Sequence, residues 1–313
     1  HNEARLLRDT LSHYRGFGAL DVIVIDDRST DATQQILDAD PQIMRFTPKD
    51  GSTFAADKDL WRGALLDRYG QGRWCLVPDA DEHLIWHGFE DRPFPQLLAD
   101  LDSEGAEVLI ADMIDMYADR PLAEHIAEDG PLTEQFPFFD DPSLDPDNYR
   151  VSLVPSGRFR RAFPCPNTEA YGGMRDRVFG GGASVHGPLG GHLLRRGLQI
   201  PRQWPDHPLA WARIAARLAR NRTAKPHAIN KVPLIKWRAG LAFGGAQHHL
   251  NQLCTLSHEK AVLLHFAITG GSEGIGYLSD RAQHAHGAAY YKRMQKSLRD
   301  AAVDGVREVA MPV

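Results

Sequence analysis

The chain reads as an α/β protein of the doubly wound kind, a mostly parallel sheet with helices on both faces. Three observations support this fold. Strand-like apolar runs alternate with helical stretches through about residue 117. Val22 to Ile25 is a continuous β-branched run, as expected of a strand covered on both sides. Two such runs end in carboxylates, at the edge where open parallel sheets bind their ligands.

"NEARLLRDTLSHYR" places Leu6, Leu7, Thr10, Leu11 and Tyr14 on one helical face. A sheet-opening strand is expected to stand before this helix. "LDVIVIDD" is the first strand present, and "STDATQQILDA" carries Ser and Thr at helix N-cap positions. "IMRF" reads as a short strand. "FAADKDLWRGALLDRYGQG" is a helix ended by Gly70 and Gly72. "RWCLV" is a strand, "PFPQLLADLDSEG" a helix and "AEVLIADMIDMY" a further strand.

After residue 117 the order loosens. Residues 118–150, with "FPFFDDPSLDPDNY", read as a long surface excursion. "YGGMRDRVFGGGASVHGPLGG" has the glycine density of a mobile lid, and "LAWARIAARLARNR" reads as a helix with an arginine stripe at Arg213, Arg217 and Arg220. "KVPLIKWRAG" and "AVLLHFAI" return to strand, and "AHGAAYYKRMQKSLRDAA" closes as a helix.

The composition, 42% hydrophobic and 25% charged over 313 residues, is that of a globular protein. A formal charge of -5 makes no case for nucleic-acid binding. No apolar run approaches the roughly 20 residues of a membrane span. Three widely spaced cysteines point to a reducing compartment and a cytoplasmic setting. The arginine stripe, flanked by Trp204 and Trp211, would allow peripheral contact with the inner face of a membrane. Its alanine-rich apolar face favours a solvated helix instead.

"RWCLVPDADEHLIW" packs Asp79, Asp81 and Glu82 into four positions behind a buried strand. Such carboxylates repel one another unless something positive sits among them. On extended backbone Asp79 and Asp81 point the same way, and Asp26-Asp27 ends a second strand. Hard oxygen ligands in this position suit Mg²⁺ or Mn²⁺ and, through the ion, a diphosphate. "HHLNQLCTLSH" matches no usual zinc spacing.

"VIVIDDRSTDAT" resembles the apolar run and D-D-x-S-x-D-x-T signature of family-2-like glycosyltransferases of the GT-A fold. "RWCLVPDADEHLIW" looks like their D-x-D segment. "NEARLLRDTLSHYRGFGALD" is similar to the N-E…H opening of a bacterial subgroup, and "KVPLIKWRAGLAF", "QHHL" and "LLHFAI" to its later blocks. The resemblance implies a nucleotide-sugar-binding half at 1–117 and an acceptor and lid half at 118–313. It implies metal-dependent transfer of a sugar from a nucleoside diphosphate sugar, UDP-sugar above all, to a saccharide or other hydroxyl acceptor. Such chemistry serves bacterial surface polysaccharide or glycoconjugate synthesis.

Carried over residue by residue, Asp27 contacts base or ribose and Asp79 and Asp81 form the metal pair, Asp81 the more direct ligand. Lys58 contacts the nucleotide, and His248 and His265 touch metal, phosphate or acceptor. Pro78 departs from the usual apolar residue before D-x-D. An inverting transfer also needs a carboxylate base. Candidates are Asp112, Asp115, Glu169 and Asp176, the last flanked by Arg175 and Arg177, which could grip phosphate or close a salt bridge. Two rivals stand beside this expectation. One is a haloacid-dehalogenase-like phosphatase with Asp79 as nucleophile, the other a degenerate nucleotide-sugar binder.

Overall fold

The structure, a computed structural model, describes residues 1–141, 149–154, 157–179 and 228–283, with 288, 291, 292 and 294–296. The expected arginine-striped helix, most of the glycine-rich lid and most of the closing helix lie outside them.

The chain runs α1 (Ala4–Arg15), β1 (Val22–Ile25), α2 (Thr33–Asp38), β2 (Ile43–Phe46), α3 (Phe54–Tyr69), β3 (Trp74–Leu76), β4 (Glu82–Trp86), α4 (Phe94–Ser103) and β5 (Val108–Asp115). A short α5 (Leu132–Gln135) leads to the hairpin of β6 (Arg150–Leu153) and β7 (Thr168–Tyr171), with α6 (Arg158–Ala162) between. Then come α7 (Met174–Phe179), β8 (Asn230–Lys236), β9 (Phe243–Gly244), β10 (His249–Leu250), β11 (Ala261–His265) and α8 (Gly271–Arg281).

The protein is α/β, but its main sheet is mixed where a mostly parallel one was expected. Its order is β3-β8-β5-β11-β4. Only β5 and β11 are parallel, whereas β3–β8, β8–β5 and β11–β4 are antiparallel. An apolar run such as "VPLI" has no polarity of its own, so strand direction follows from where the connection returns the chain. β8 enters between β3 and β5 and runs against both, so strands from either side of residue 117 share one sheet.

β1 pairs in parallel with β2 and has no strand partner in the main sheet among the described residues. The expectation that β1 and β3 lie in one hydrogen-bonded sheet is therefore corrected. The two are tied at their starts by Asp21 and Arg73, 2.8 Å apart. They are also spanned by α1. Its Leu7 packs with Ile36 and Leu37 of α2, while Tyr14 joins the core over β4.

One sheet face is covered by α1 and α4, through Tyr14, Leu97 and Leu101 against Leu84, Leu109 and Leu263. The other buries Val108, Val232, Ile235 and Trp237 beneath Leu241, Phe243 and Leu250. The stretch after residue 117, expected as a surface excursion, docks onto the structure in its described part. Leu132 and Phe136 are fully buried with Met116 and Phe266. Its spacing of apolar residues is irregular, so no helical or strand period reveals that burial.

Leu97 has 0% exposure and Leu60 70%. Leu97→Ala should cost about 2–5 kcal/mol of unfolding free energy by urea denaturation, and Leu60→Ser within about 0.5 kcal/mol. Equal effects would refute this account of the core.

Candidate functional site

β3 ends at Leu76, and the chain turns through Ala80 and Asp81 directly into β4. The turn corrects the expectation that Asp79 and Asp81 point the same way, because the backbone between them is not extended. Asp79 faces α3 and β8: Arg62 donates to Oδ1 and the Lys231 ammonium to Oδ2. Lys231 also donates to Glu82 Oε1, and Glu82 Oε2 accepts from the Asp79 amide at 3.0 Å. Asp81 turns to β11, where His265 Nε2 stands 3.4 Å from its Oδ2.

Strand register builds the rest. His265 on β11 pairs with Asp115 on one side and with Glu82 on the other, so Asp115, His265 and Glu82 form a row across three strands. His265 Nδ1 lies 2.8 Å from Asp115 Oδ1, and Arg175 on α7 brings Nε within 2.7 Å of the same carboxylate. Asp81, Glu82 and His265 present ligand atoms within 4.8 Å of one another, a group that could hold a metal ion.

The electrostatics follow. Burial and Arg175 oppose protonation of His265, but Asp81 and the hydrogen bonds to Asp115 and Asp81 prevail and raise it from 6.5 to about 9. Burial alone would raise Asp115, yet Arg175 and His265 hold it down at about 2. Burial raises Glu82 despite the Lys231 charge. For Asp79, Arg62, Lys231 and Lys58 overcome burial and hold the carboxyl well below its ordinary range. Burial, then Asp81 and Asp79, pushes Glu3 at the head of α1 up to about 8.

The remaining predicted residues divide. Asp27 is held by Arg28 at 2.6 Å and by Arg281 of α8 at 2.5 Å. Lys58 lies 4.7 Å above the Phe54 ring, close enough to Asp79, Arg62 and Lys231 to feel their charges. Asp112 is turned by strand alternation to the sheet face opposite Asp115, and burial raises its carboxyl. Glu169 accepts from the Tyr171 hydroxyl and stands 3.0 Å from His249 Nε2. His248 hydrogen-bonds the Asn230 carbonyl through Nδ1, and burial lowers it to about 3, leaving it neutral. It stands outside the Asp81–Glu82–His265 group. The side chains of Asp176 and Arg177 lie outside the described residues.

No protein-family model, curated protein or solved structure significantly matches this chain. Sequence reasoning passed over Arg62, Lys231 and Glu3. The signal for Lys231 was present: a lysine within the apolar run "NKVPLI" is a charge in a buried strand, which requires partners.

Removing one partner of a buried ion pair strands the other. Lys231→Met should cost about 3–5 kcal/mol in urea unfolding, and Lys231→Met with Glu82→Gln less than the single change. A neutral single variant would refute the burial of this cluster.

His265, with its pKa raised in the folded state, contributes stability that is complete below 6.5 and lost as pH rises through about 9. The stability gap between the parent and His265→Gln should therefore shrink between pH 6.5 and 9.5. A constant gap across that range contradicts the assignment.

Proposed function

We propose that this protein is a metal-dependent glycosyltransferase of GT-A-like fold. It would move a sugar from a nucleoside diphosphate sugar, a UDP-sugar first among them, to an acceptor hydroxyl. One observation carries the reading. Asp81 and Glu82 of the "DADE" segment meet His265 of a distant block in a single group of ligand atoms within 4.8 Å of one another. Both segments belong to the motifs that resemble this family.

The donor set fits a divalent ion. Two carboxylates and an imidazole suit Mn²⁺ better than Mg²⁺, which favours oxygen alone. Asp81 and His265 would be the principal ligands. Glu82 closes the group, although Lys231 and the Asp79 amide already engage both its oxygens. A bound ion would neutralise charge developing on the diphosphate leaving group.

The protein's own residues do the remainder. Lys231 and Arg62 keep Asp79 ionised and fixed, so the turn that presents Asp81 has one arrangement. Lys58, at the edge of that cluster, would meet a phosphate. Asp27 would meet base or ribose by exchanging its contact with Arg281. Asp115 is held too acidic by Arg175 to serve as the base that takes the acceptor proton. A phosphatase would need Asp79 as nucleophile, and both its oxygens are committed to cations. Among the described residues no helix is long and apolar enough to cross a membrane. A cytoplasmic setting, with peripheral contact at the membrane, belongs to the same proposal.

A thermal-shift panel of nucleoside diphosphates with and without Mn²⁺ tests the reading. UDP with Mn²⁺ should stabilise the parent more than either alone, and Asp81→Asn should lose the Mn²⁺-dependent part. A mutant shift equal to the parent's removes the metal assignment.

A further inference from the structure

We infer that Asp115 and Arg175 are positioning residues that lock the His265 ring with Nε2 directed at Asp81, where its proton can give way to a divalent cation. The inference rests on the metal reading above and adds residues that do not belong to the ligand group. His265 has two ring nitrogens, and which one is a ligand depends on what holds the other. Asp115 Oδ1 lies 2.8 Å from Nδ1. An ionised carboxylate only accepts, so Nδ1 donates to Asp115, and Nε2, whose proton faces Asp81, is the nitrogen that a cation would take. Asp115 is held in turn, since Arg175 Nε lies 2.8 Å from Oδ2 and 2.7 Å from Oδ1.

Backbone register makes the arrangement rigid. Asp115 and His265 are direct partners on parallel β5 and β11, and His265 and Glu82 on antiparallel β11 and β4. Strand pairing thus fixes the backbone positions of the three residues, and the hydrogen bond to Asp115 fixes the ring. Both Asp115 and Arg175 are largely withdrawn from solvent, with side-chain exposures of 3% and 12%. Gly173, at φ +84, sets the approach of α7, and a Cβ there would lie 3.7 Å from Asp115 Oδ2. A carboxylate behind a ligating imidazole is a recurrent way of fixing its tautomer. Losing it typically weakens metal binding about 10–100-fold.

The test uses the whole chain and Mn²⁺ alone, with the free-ion electron paramagnetic resonance signal as readout and near-UV circular dichroism to establish folding. The parent should bind Mn²⁺, and Asp81→Asn should abolish binding. Asp115→Ala should weaken it about 10–100-fold. Arg175→Met should weaken it less, and Asp115→Asn, which retains an acceptor for Nδ1, should recover part of the alanine loss. If Asp115→Ala does not fold, Arg175→Met and Asp115→Asn carry the comparison. A parent that binds no Mn²⁺ overturns the metal reading and this inference with it. Binding that Asp81→Asn removes, but that folded Asp115 and Arg175 variants leave at the parent's affinity, overturns the positioning role alone.

Discussion

Three carboxylates within four residues cannot be folded beneath a sheet edge unless cations come with them, and the architecture around the β3–β4 turn meets that requirement. Lys231 from β8 enters between Asp79 and Glu82, Arg62 from α3 reaches the other oxygen of Asp79, and His265 from β11 faces Asp81. Each cation comes from a different element, so the repulsion of one short segment ties α3, β8 and β11 to a common point. The isolated cost of burying such charges is several kcal/mol each, and only paired, hydrogen-bonded geometry offsets it.

The two ends of the cluster differ in kind. Asp79 is balanced by a lysine and an arginine, which keep their protons at any physiological pH. Asp81 is balanced by an imidazole, which can give its proton up and then offer a lone pair. Under the proposed metal reading, a second cation would replace the countercharge at Asp81 rather than at Asp79. The symmetrical spelling D-A-D conceals this difference between Asp79 and Asp81. Asp115 and Arg175 extend the same row, holding Nδ1 of the imidazole while Nε2 faces Asp81.

Much of the local structure was legible. The i, i+3, i+4 spacing of α1, the β-branched run of β1 and the apolar runs of β5, β8 and β11 each name their element, because amphipathicity is a property of a short window. The strand "EHLIW" was not legible, because it opens on Glu82 directly after Asp79 and Asp81, and a run of carboxylates has the composition of a loop. Burial after residue 117 also escaped, since Leu132 and Phe136 lie in irregular chain where no period marks the inward side.

The sequence by itself determined that the chain is α/β, that Asp79, Asp81 and Glu82 crowd behind a strand, and that they need positive partners. Local composition decides all three. Which partners those are depends on the folded chain: Lys231 lies 152 positions from Asp79, and Asp115 150 from the His265 it touches. It also set the antiparallel entry of β8 and the divergence of Asp79 from Asp81 at a turn. Strand direction and register arise from how distant segments pack, and no short stretch of chain encodes where its neighbour across a sheet will come from.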